Sequence, residues 1–558
     1  MKKKMPNYLL ILCLIIYSSN SLSAQKKSKN KIEESTDFYV SPKLVIGIVV
    51  DQMRYDYLTR FWNHYSKGGF KRLVEEGFDC KNNHFNYAPT YTGPGHASIY
   101  TGTTPSTHGV ISNNWYDKEL NKVVYCASDT SYESVGTSSD VGQMSPHRMT
   151  VTTITDELRL HTQMKGKTIG ISLKDRGAIL PAGHTANAAY WFHGENEGKW
   201  ISSSFYMDAL PEWVKNYNTS KKVDTYKKVW TTLKPINTYL ESGSDVNAYE
   251  GIFMGEKLAS FPHDIPSLWE DNKQYDILKT TPYGNSLTTD FSILAVEKEG
   301  LGQDATTDFL AISFSSTDYV GHKYGVNSKE IQDTYLRLDK DLERLFTNLD
   351  AKVGKGEYTV FLTADHGAVD VPAYLKDKKI PAGYVSFDEI KKELNEFSKF
   401  NYGTEDIIIN VSNNQIFLDY DLMLNLELKP KEVQEALAHK LLSFNVIDKV
   451  YTAYQLWQNE YTHGIPYILQ NGYNLKRSGD VLFALKPNFI SYGKTGSTHG
   501  SALTYDTHVP LLFFGKGIKK GNTVERTEAS DIAPTIATLL GIANPSGTTG
   551  KPIEDILE

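Results

Sequence analysis

After Lys43 the chain reads Leu-Val-Ile-Gly-Ile-Val-Val50, a continuous and largely β-branched run. Such a run predicts a strand buried on both faces, because a half-exposed strand would alternate apolar and polar residues. Similar runs recur at Thr168–Leu173, Asp308–Ser315, Tyr358–Thr363 and Val509–Phe514. Between them the period becomes helical, as in Ser328–Asp350, where Leu336, Leu338, Leu342, Leu345 and Phe346 share one spacing. Asp531-Ile-Ala-Pro-Thr535 opens another apolar helix, with Asp531 as its N-cap and Gly541 as its stop. Strands alternating with helices predict an α/β fold, a doubly wound and mostly parallel sheet flanked by helices.

Two stretches break that rhythm. Residues 195–285 are rich in aromatics (Trp200, Tyr206, Trp213, Trp230, Tyr239) and weak in periodicity. Residues 385–480 mix strand-like Ile407–Val411 and Gln415–Leu418 with a helix around Val433–Leu442. Both read as insertions covering the carboxyl edge of the sheet, where α/β proteins bind ligands. At the other end, Lys2, Lys3 and Lys4 precede an apolar run from Tyr8 to Tyr17 and a small-residue exit at Ser23–Ala24. That pattern predicts a secretory signal over 1–24, its apolar run falling short of the roughly 20 residues a spanning helix needs. Residues 25–42 read as a polar, Lys-rich linker, and 43–558 as one elaborated domain.

Composition narrows the function. Hydrophobic residues make up 40% of the 558 and charged residues 22%, which supports a packed core and excludes a disordered chain. The net charge is −7, and −10 once the three leader lysines are removed, with no long basic run. A nucleic-acid binder would show a basic face, so that partner is not expected. Export would leave Cys80 and Cys126 in an oxidising compartment. There the pair suggests a disulfide closing a loop of about 45 residues, the alternative being two buried thiols.

Chemistry collects directly after the strands. Asp51 follows the first run, Asp318 and His322 follow the third, and Asp365 and His366 follow the fourth. An Asp after a strand is commonly a helix cap, and a lone His commonly a structural hydrogen-bonding group. Three carboxylates at neighbouring strand ends, however, would repel unless something positive lay among them. Mixed Asp and His ligands suit Zn²⁺, whereas Mg²⁺ and Ca²⁺ prefer oxygen alone. Asp318 and His322, four apart, can share one ion if a helical segment follows the strand. A second cluster is Pro89-Thr-Tyr-Thr92-Gly-Pro-Gly-His96. It would place Thr92 at a helix N-terminus, where an anion is favoured and a metal could activate the hydroxyl. His96 and His108 carry only structural hydrogen bonding. Third, Lys174 and Arg176 follow another strand and would face the same way on an extended segment, offering two cations to one anion. His499 sits in the small-residue loop Gly496-Ser-Thr-His499-Gly.

Taken together, Asp51-Gln-Met-Arg, Ser172-Leu-Lys-Asp-Arg-Gly, Ser316-Thr-Asp-Tyr-Val-Gly-His, Ala364-Asp-His-Gly and Asp531-Ile-Ala-Pro-Thr resemble the alkaline phosphatase superfamily. More closely, the chain from about Lys43 to about Ile556 is similar to phosphate-insensitive periplasmic alkaline phosphatases of the PafA type. The resemblance implies two zinc ions per chain and no third, magnesium, site. One zinc would be held by Asp318, His322 and His499, the other by Asp51, Asp365 and His366 with Thr92 as fourth ligand and nucleophile. Asn113, Lys174 and Arg176 would contact the phosphoryl group, Asn114 being the alternative register for the first of them. The implied protein is a periplasmic or secreted monomer that hydrolyses small phosphate monoesters through a phosphothreonine. An alkaline optimum is expected of it, and a rate falling steadily from about pH 6 to about pH 9 would count against it.

The nearest rival is a phosphodiesterase of the same superfamily, against which the Lys174/Arg176 pair argues, since a diester presents fewer charged oxygens. Thr92-Gly-Pro-Gly-His lacks the Cys/Ser-x-Pro-x-Arg context of a sulfatase, and an export signal opposes a mutase acting on intracellular phosphosugars. A non-catalytic zinc- or glycan-binding surface protein would not need a Thr92 beside six ligands.

Overall fold

The computed structural model describes residues 41–558. The expected leader, and the linker up to residue 40, lie outside the described residues. Ten strands form the main sheet: β1 (Leu44–Val50), β2 (Phe78–His84), β3 (Ser134–Val135), β4 (Thr168–Ser172), β5 (Ala188–His193), β6 (Lys199–Ser203), β7 (Asp308–Phe314), β8 (Tyr358–Thr363), β9 (Leu511–Gly515) and β10 (Gly521–Glu528). Their order is β10-β2-β9-β8-β1-β7-β4-β5-β6-β3. The central strands β8, β1, β7, β4 and β5 are parallel, and every residue of β1 is buried between its neighbours and the flanking helices. The edges are mixed. The expected parallel strand near Val509–Phe514 is β9, which runs antiparallel to both β8 and β2. Its hydrophobic run specified burial, which is independent of strand direction.

Four helices bear on the site: α1 (Thr92–Thr101), α2 (Asp175–Ala182), α3 (Ser316–Tyr324) and α4 (Lys329–Leu349). The hydroxyl of Ser328 caps α4 by accepting from the Ile331 amide, which is why the helix proper starts one residue later. The buried stripe of α4 includes the five residues whose spacing announced it. The apolar helix near the C-terminus spans Ile532–Leu540 and stops at Gly541 in the left-handed conformation. Asp531 stands at its start without capping it. Its carboxylate accepts instead from the amides of Glu528 and Lys551, each at 2.9 Å.

Between 385 and 490 the chain builds a second, four-stranded sheet from Ile408–Ser412, Gln415–Leu418, Ile447–Thr452 and Val481–Leu485, with helix Pro430–Leu442 packed on it. The aromatic stretch at 195–285 serves the main core. Trp230 Nε1 and the Tyr239 hydroxyl both donate to the buried Asp333 of α4, at 2.8 and 2.5 Å. Cys80 and Cys126 are both buried free thiols, so the disulfide expectation fails. Cys80 on β2 packs into the main core, and Cys126 into a separate cluster with Ala97 and Trp115.

Candidate active site

The parallel strands end in register, with Val49 opposite Thr363, Val50 opposite Phe314, and Ser172 opposite Ser313. The segments leaving these strands therefore arrive at one edge. Asp51 leaves β1, Asp365 and His366 leave β8, α3 carries Asp318 and His322 off β7, and Lys174 leaves β4. Within 4.8 Å of one another lie ligand atoms of Asp51, Asp365 and His366, and likewise of Asp318, His366 and His499. His322 joins the second group through Asp318, its Nε2 lying 3.1 Å from Oδ1, while His499 Nε2 is 3.7 Å from the same oxygen. His366 thus stands between the two groups.

The histidines divide into two kinds. His322, His366 and His499 each donate Nδ1–H to a backbone carbonyl, of Ser497 (2.7 Å), Gly367 (3.0 Å) and Thr90 (2.7 Å) respectively. That fixes the tautomer and leaves each Nε2 lone pair facing the carboxylates, the arrangement that metal-ligating imidazoles adopt. His96 and His108 spend both ring nitrogens on protein partners. His96 bonds the Thr92 carbonyl and Ser313, and His108 bonds Ser98 and the Val110 amide.

Three buried ligand atoms of these clusters are among those with no hydrogen-bond partner in the described residues: Asp51 Oδ1, Asp365 Oδ2 and His366 Nε2. They face one another, His366 Nε2 lying 3.5 Å from both oxygens. Unpartnered acceptors at such depth are costly unless a cation joins them, so the donor set fits a metal ion. Charge states agree. Burial pushes the Asp51 carboxyl up to about 6, Asp318 adding to the effect and Lys174 opposing it. Burial, then Asp51, drives Asp365 up as well. Burial would also raise Asp318, but His322 and Lys174 outweigh it and hold that carboxyl well below its usual range. Burial lowers His366 strongly and takes His499 to about 3, leaving both imidazoles neutral and free to ligate.

Thr92 is the first residue of α1 and is buried. Lys174 Nζ and Arg176 Nη2 each lie 3.4 Å from its Oγ1. The two cations reach it by a different route from the extended segment expected. Lys174 is the N-cap of α2 and Arg176 lies in that helix's first turn. Asn113 accepts from the Gly93 amide through Oδ1 at 2.7 Å, which leaves its NH₂ as the donor beside Thr92. Asn114 is exposed and opens a short strand, so position 113 has the register that faces the site. Gly95 permits the approach of α1, since a Cβ there would sit 2.5 Å from the Asp365 carbonyl oxygen.

Two contributors carry no sequence signal of their own. Gln52, with a positive φ of 65°, donates Nε2 to Asp318 Oδ1 at 2.7 Å and its amide to Asp365 Oδ1 at 3.1 Å. Tyr125 accepts from Arg176 Nη1 at 3.1 Å and donates its hydroxyl to Asp175. Adjacency to Asp51 was the available pointer to Gln52, and nothing local pointed to Tyr125.

Comparison with known proteins agrees with this geometry. The family model described as type I phosphodiesterase / nucleotide pyrophosphatase matches residues 45–509. A protein of Myroides odoratus named calcium-transporting ATPase is 46% identical over 93% of this chain and 95% of its own length. Alkaline phosphatase PafA of Elizabethkingia meningoseptica is 42% identical over 97% of this chain and 98% of its own. A crystal structure of wild-type PafA superposes with a TM-score of 0.90, covering 93% of this chain and 99% of that one at 43% identity. A solved PafA variant is substituted at a Thr, an Asn, a Lys and an Arg, the residue types gathered here at Thr92, Asn113, Lys174 and Arg176. The chain belongs to the alkaline phosphatase superfamily, in the type I phosphodiesterase / nucleotide pyrophosphatase family, on its PafA-type alkaline phosphatase branch. Among the described residues no helix is long and apolar enough to cross a membrane.

Proposed function

We propose that this protein is an alkaline phosphatase that hydrolyses phosphate monoesters through a phosphothreonine on Thr92. The observation that carries the reading is the convergence of Lys174 and Arg176 on Thr92 Oγ1, 3.4 Å from each, beside two carboxylate–imidazole clusters. Asp51, Asp365 and His366, with Thr92, would hold one zinc, and Asp318, His322 and His499 a second, with no magnesium site. Zinc there would supply Lewis acidity toward the Thr92 oxygen and the leaving oxygen. Thr92 Oγ1 attacks phosphorus in line with the departing alkoxide. Arg176, Lys174 and the Asn113 amide bind the non-bridging oxygens, where charge resides in a loose transition state. Water then cleaves the phosphothreonine, releasing phosphate and restoring the hydroxyl.

A monoester brings two negative charges to the buried Lys174 ammonium and the half-buried Arg176 guanidinium, whereas a diester brings one. The test is hydrolysis of a phosphate monoester against a matched methyl diester, by wild type and by the Lys174→Ala/Arg176→Ala double variant. A strong monoester preference that collapses in the variant, with diester turnover largely kept, is the expected result. Equal or better diester turnover by wild type would move the protein to phosphodiesterase chemistry. The basic and apolar pattern of residues 2–17 supports export, which the N-terminal sequence of the mature protein would check.

A further inference from the structure

Gln52 follows Asp51 in the turn that leaves β1, and it is buried. Its φ of 65° is a left-handed conformation that a side chain seldom adopts unless its surroundings require it. The turn aims two donors in two directions. The main-chain amide reaches Asp365 Oδ1 at 3.1 Å, in one ligand cluster, and the carboxamide Nε2 reaches Asp318 Oδ1 at 2.7 Å, in the other.

Asp318 Oδ1 is the oxygen that His322 Nε2 and His499 Nε2 face, at 3.1 and 3.7 Å. The other oxygen, Oδ2, lies 2.6 Å from Lys174 Nζ. Lys174 is shared with Asp51 and Thr92, so the Gln52 carboxamide is the donor committed to Asp318. Helix α3 makes room for it. A Cβ on Gly321 would lie 1.9 Å from Gln52 Oε1, so the carboxamide fits against α3 only because that position is glycine. Hydrogen bonds of this kind orient ligating carboxylates, and their loss typically weakens metal binding by about ten- to a hundredfold.

We infer that Gln52 is a positioning residue: its carboxamide holds Asp318 toward His322 and His499, so that this cluster keeps its zinc. Gln52 has that role only if zinc occupies both clusters, and so it rests on the two-zinc reading. The amide bond to Asp365 belongs to the main chain and survives any side-chain change. Substituting Gln52 should therefore weaken the Asp318/His322/His499 ion and spare the Asp51/Asp365/His366 ion.

The test is withdrawal of zinc from the loaded enzyme by a chelator at graded concentration, read by elemental mass spectrometry, for wild type, Gln52→Ala and Gln52→Gly. Both variants lose the carboxamide, but only glycine is at ease at positive φ, so Gln52→Gly should resist denaturant better than Gln52→Ala. The expected result is that one of two zinc ions leaves about tenfold more readily in both variants alike, the other being held as in wild type. Gly321→Ala should have the same effect beside Gln52 and add nothing beside Gln52→Gly. Two zinc ions held by Gln52→Gly as firmly as by wild type would overturn the role of Gln52 and leave the two-zinc reading standing. Zinc retention that follows resistance to denaturant, kept in Gln52→Gly and lost in Gln52→Ala, would make Gln52 a structural residue only. Wild type that holds no zinc would overturn both readings together.

Discussion

Lys174 forms a buried ion pair with Asp318, Nζ to Oδ2 at 2.6 Å, and stands at the same distance from Asp51 Oδ2. One ammonium group thus touches a carboxylate from each ligand cluster while lying 3.4 Å from Thr92 Oγ1. A compact point charge fits that slot, and a planar guanidinium does not. Lys174→Arg is therefore expected to lower kcat/KM for a phosphate monoester by about a hundredfold, close to the effect of Lys174→Ala. A Lys174→Arg enzyme within a few fold of wild type would show that charge alone suffices there.

Much of this edge was legible because buried parallel strands are conspicuous and the residue after each is easily named. Asp51, Asp318 and Asp365 come straight off β1, β7 and β8. His499 was harder, since it sits in a loop whose course depends on Gly496. There φ is +73°, and a Cβ would fall 1.9 Å from the His322 carbonyl oxygen. What the pattern could not convey were long-range choices: the direction of β9, the separate cores that receive Cys80 and Cys126, and the reach of Tyr125 to Arg176. Those depend on packing between distant segments, which hydrophobic periodicity does not encode.

Thr92 is expected to carry the phosphoryl group. Thr92→Ala should reduce monoester turnover by about a thousandfold or more, and Thr92→Ser should keep a measurable fraction. Rapid acid quenching of wild type with substrate, followed by peptide mass spectrometry, should find the added phosphoryl mass on the peptide containing Thr92. Its appearance on another residue would relocate the nucleophile.

The two kinds of histidine make a metal prediction. His366→Ala should lose bound zinc, measured by elemental mass spectrometry, because its Nε2 faces Asp51 and Asp365. His96→Gln should keep zinc, since both His96 nitrogens serve protein partners. Equal zinc loss in both variants would mean that general destabilisation, not ligation, governs metal content.

Tyr125 acts through Arg176. Its hydroxyl accepts from that guanidinium and donates to Asp175, so Tyr125→Phe should let Arg176 wander without removing its charge. The expected loss is about tenfold in kcat/KM for monoesters, with diester turnover little changed and folding intact. A variant that loses both activities in proportion would assign Tyr125 a structural role only.

Away from the site, Asp156 is a buried carboxylate at the start of the helix Ile154–His161. It accepts from the amides of Thr153, His184 and Thr185 and from the His184 ring, whose Nδ1 lies 3.0 Å away. Burial would raise its pKa, but the His184 and Thr153 hydrogen bonds prevail and hold it below 3.8. For an acid shifted down, the stabilisation is complete above the unfolded value and is lost as pH falls through the folded one. His184 is shifted up from 6.5, burial notwithstanding, by the same carboxylate, so its share is complete below 6.5 and fades as pH rises through its folded value. Asp156→Asn should thus cost about 3 kcal/mol where the carboxylate is ionised. The gap from wild type in denaturant unfolding should be widest between about pH 4 and pH 6.5, narrow somewhat on the alkaline side, and close as the acid protonates. A gap that stayed constant into acid would show that shape at this position, and not charge, is what the helix start requires.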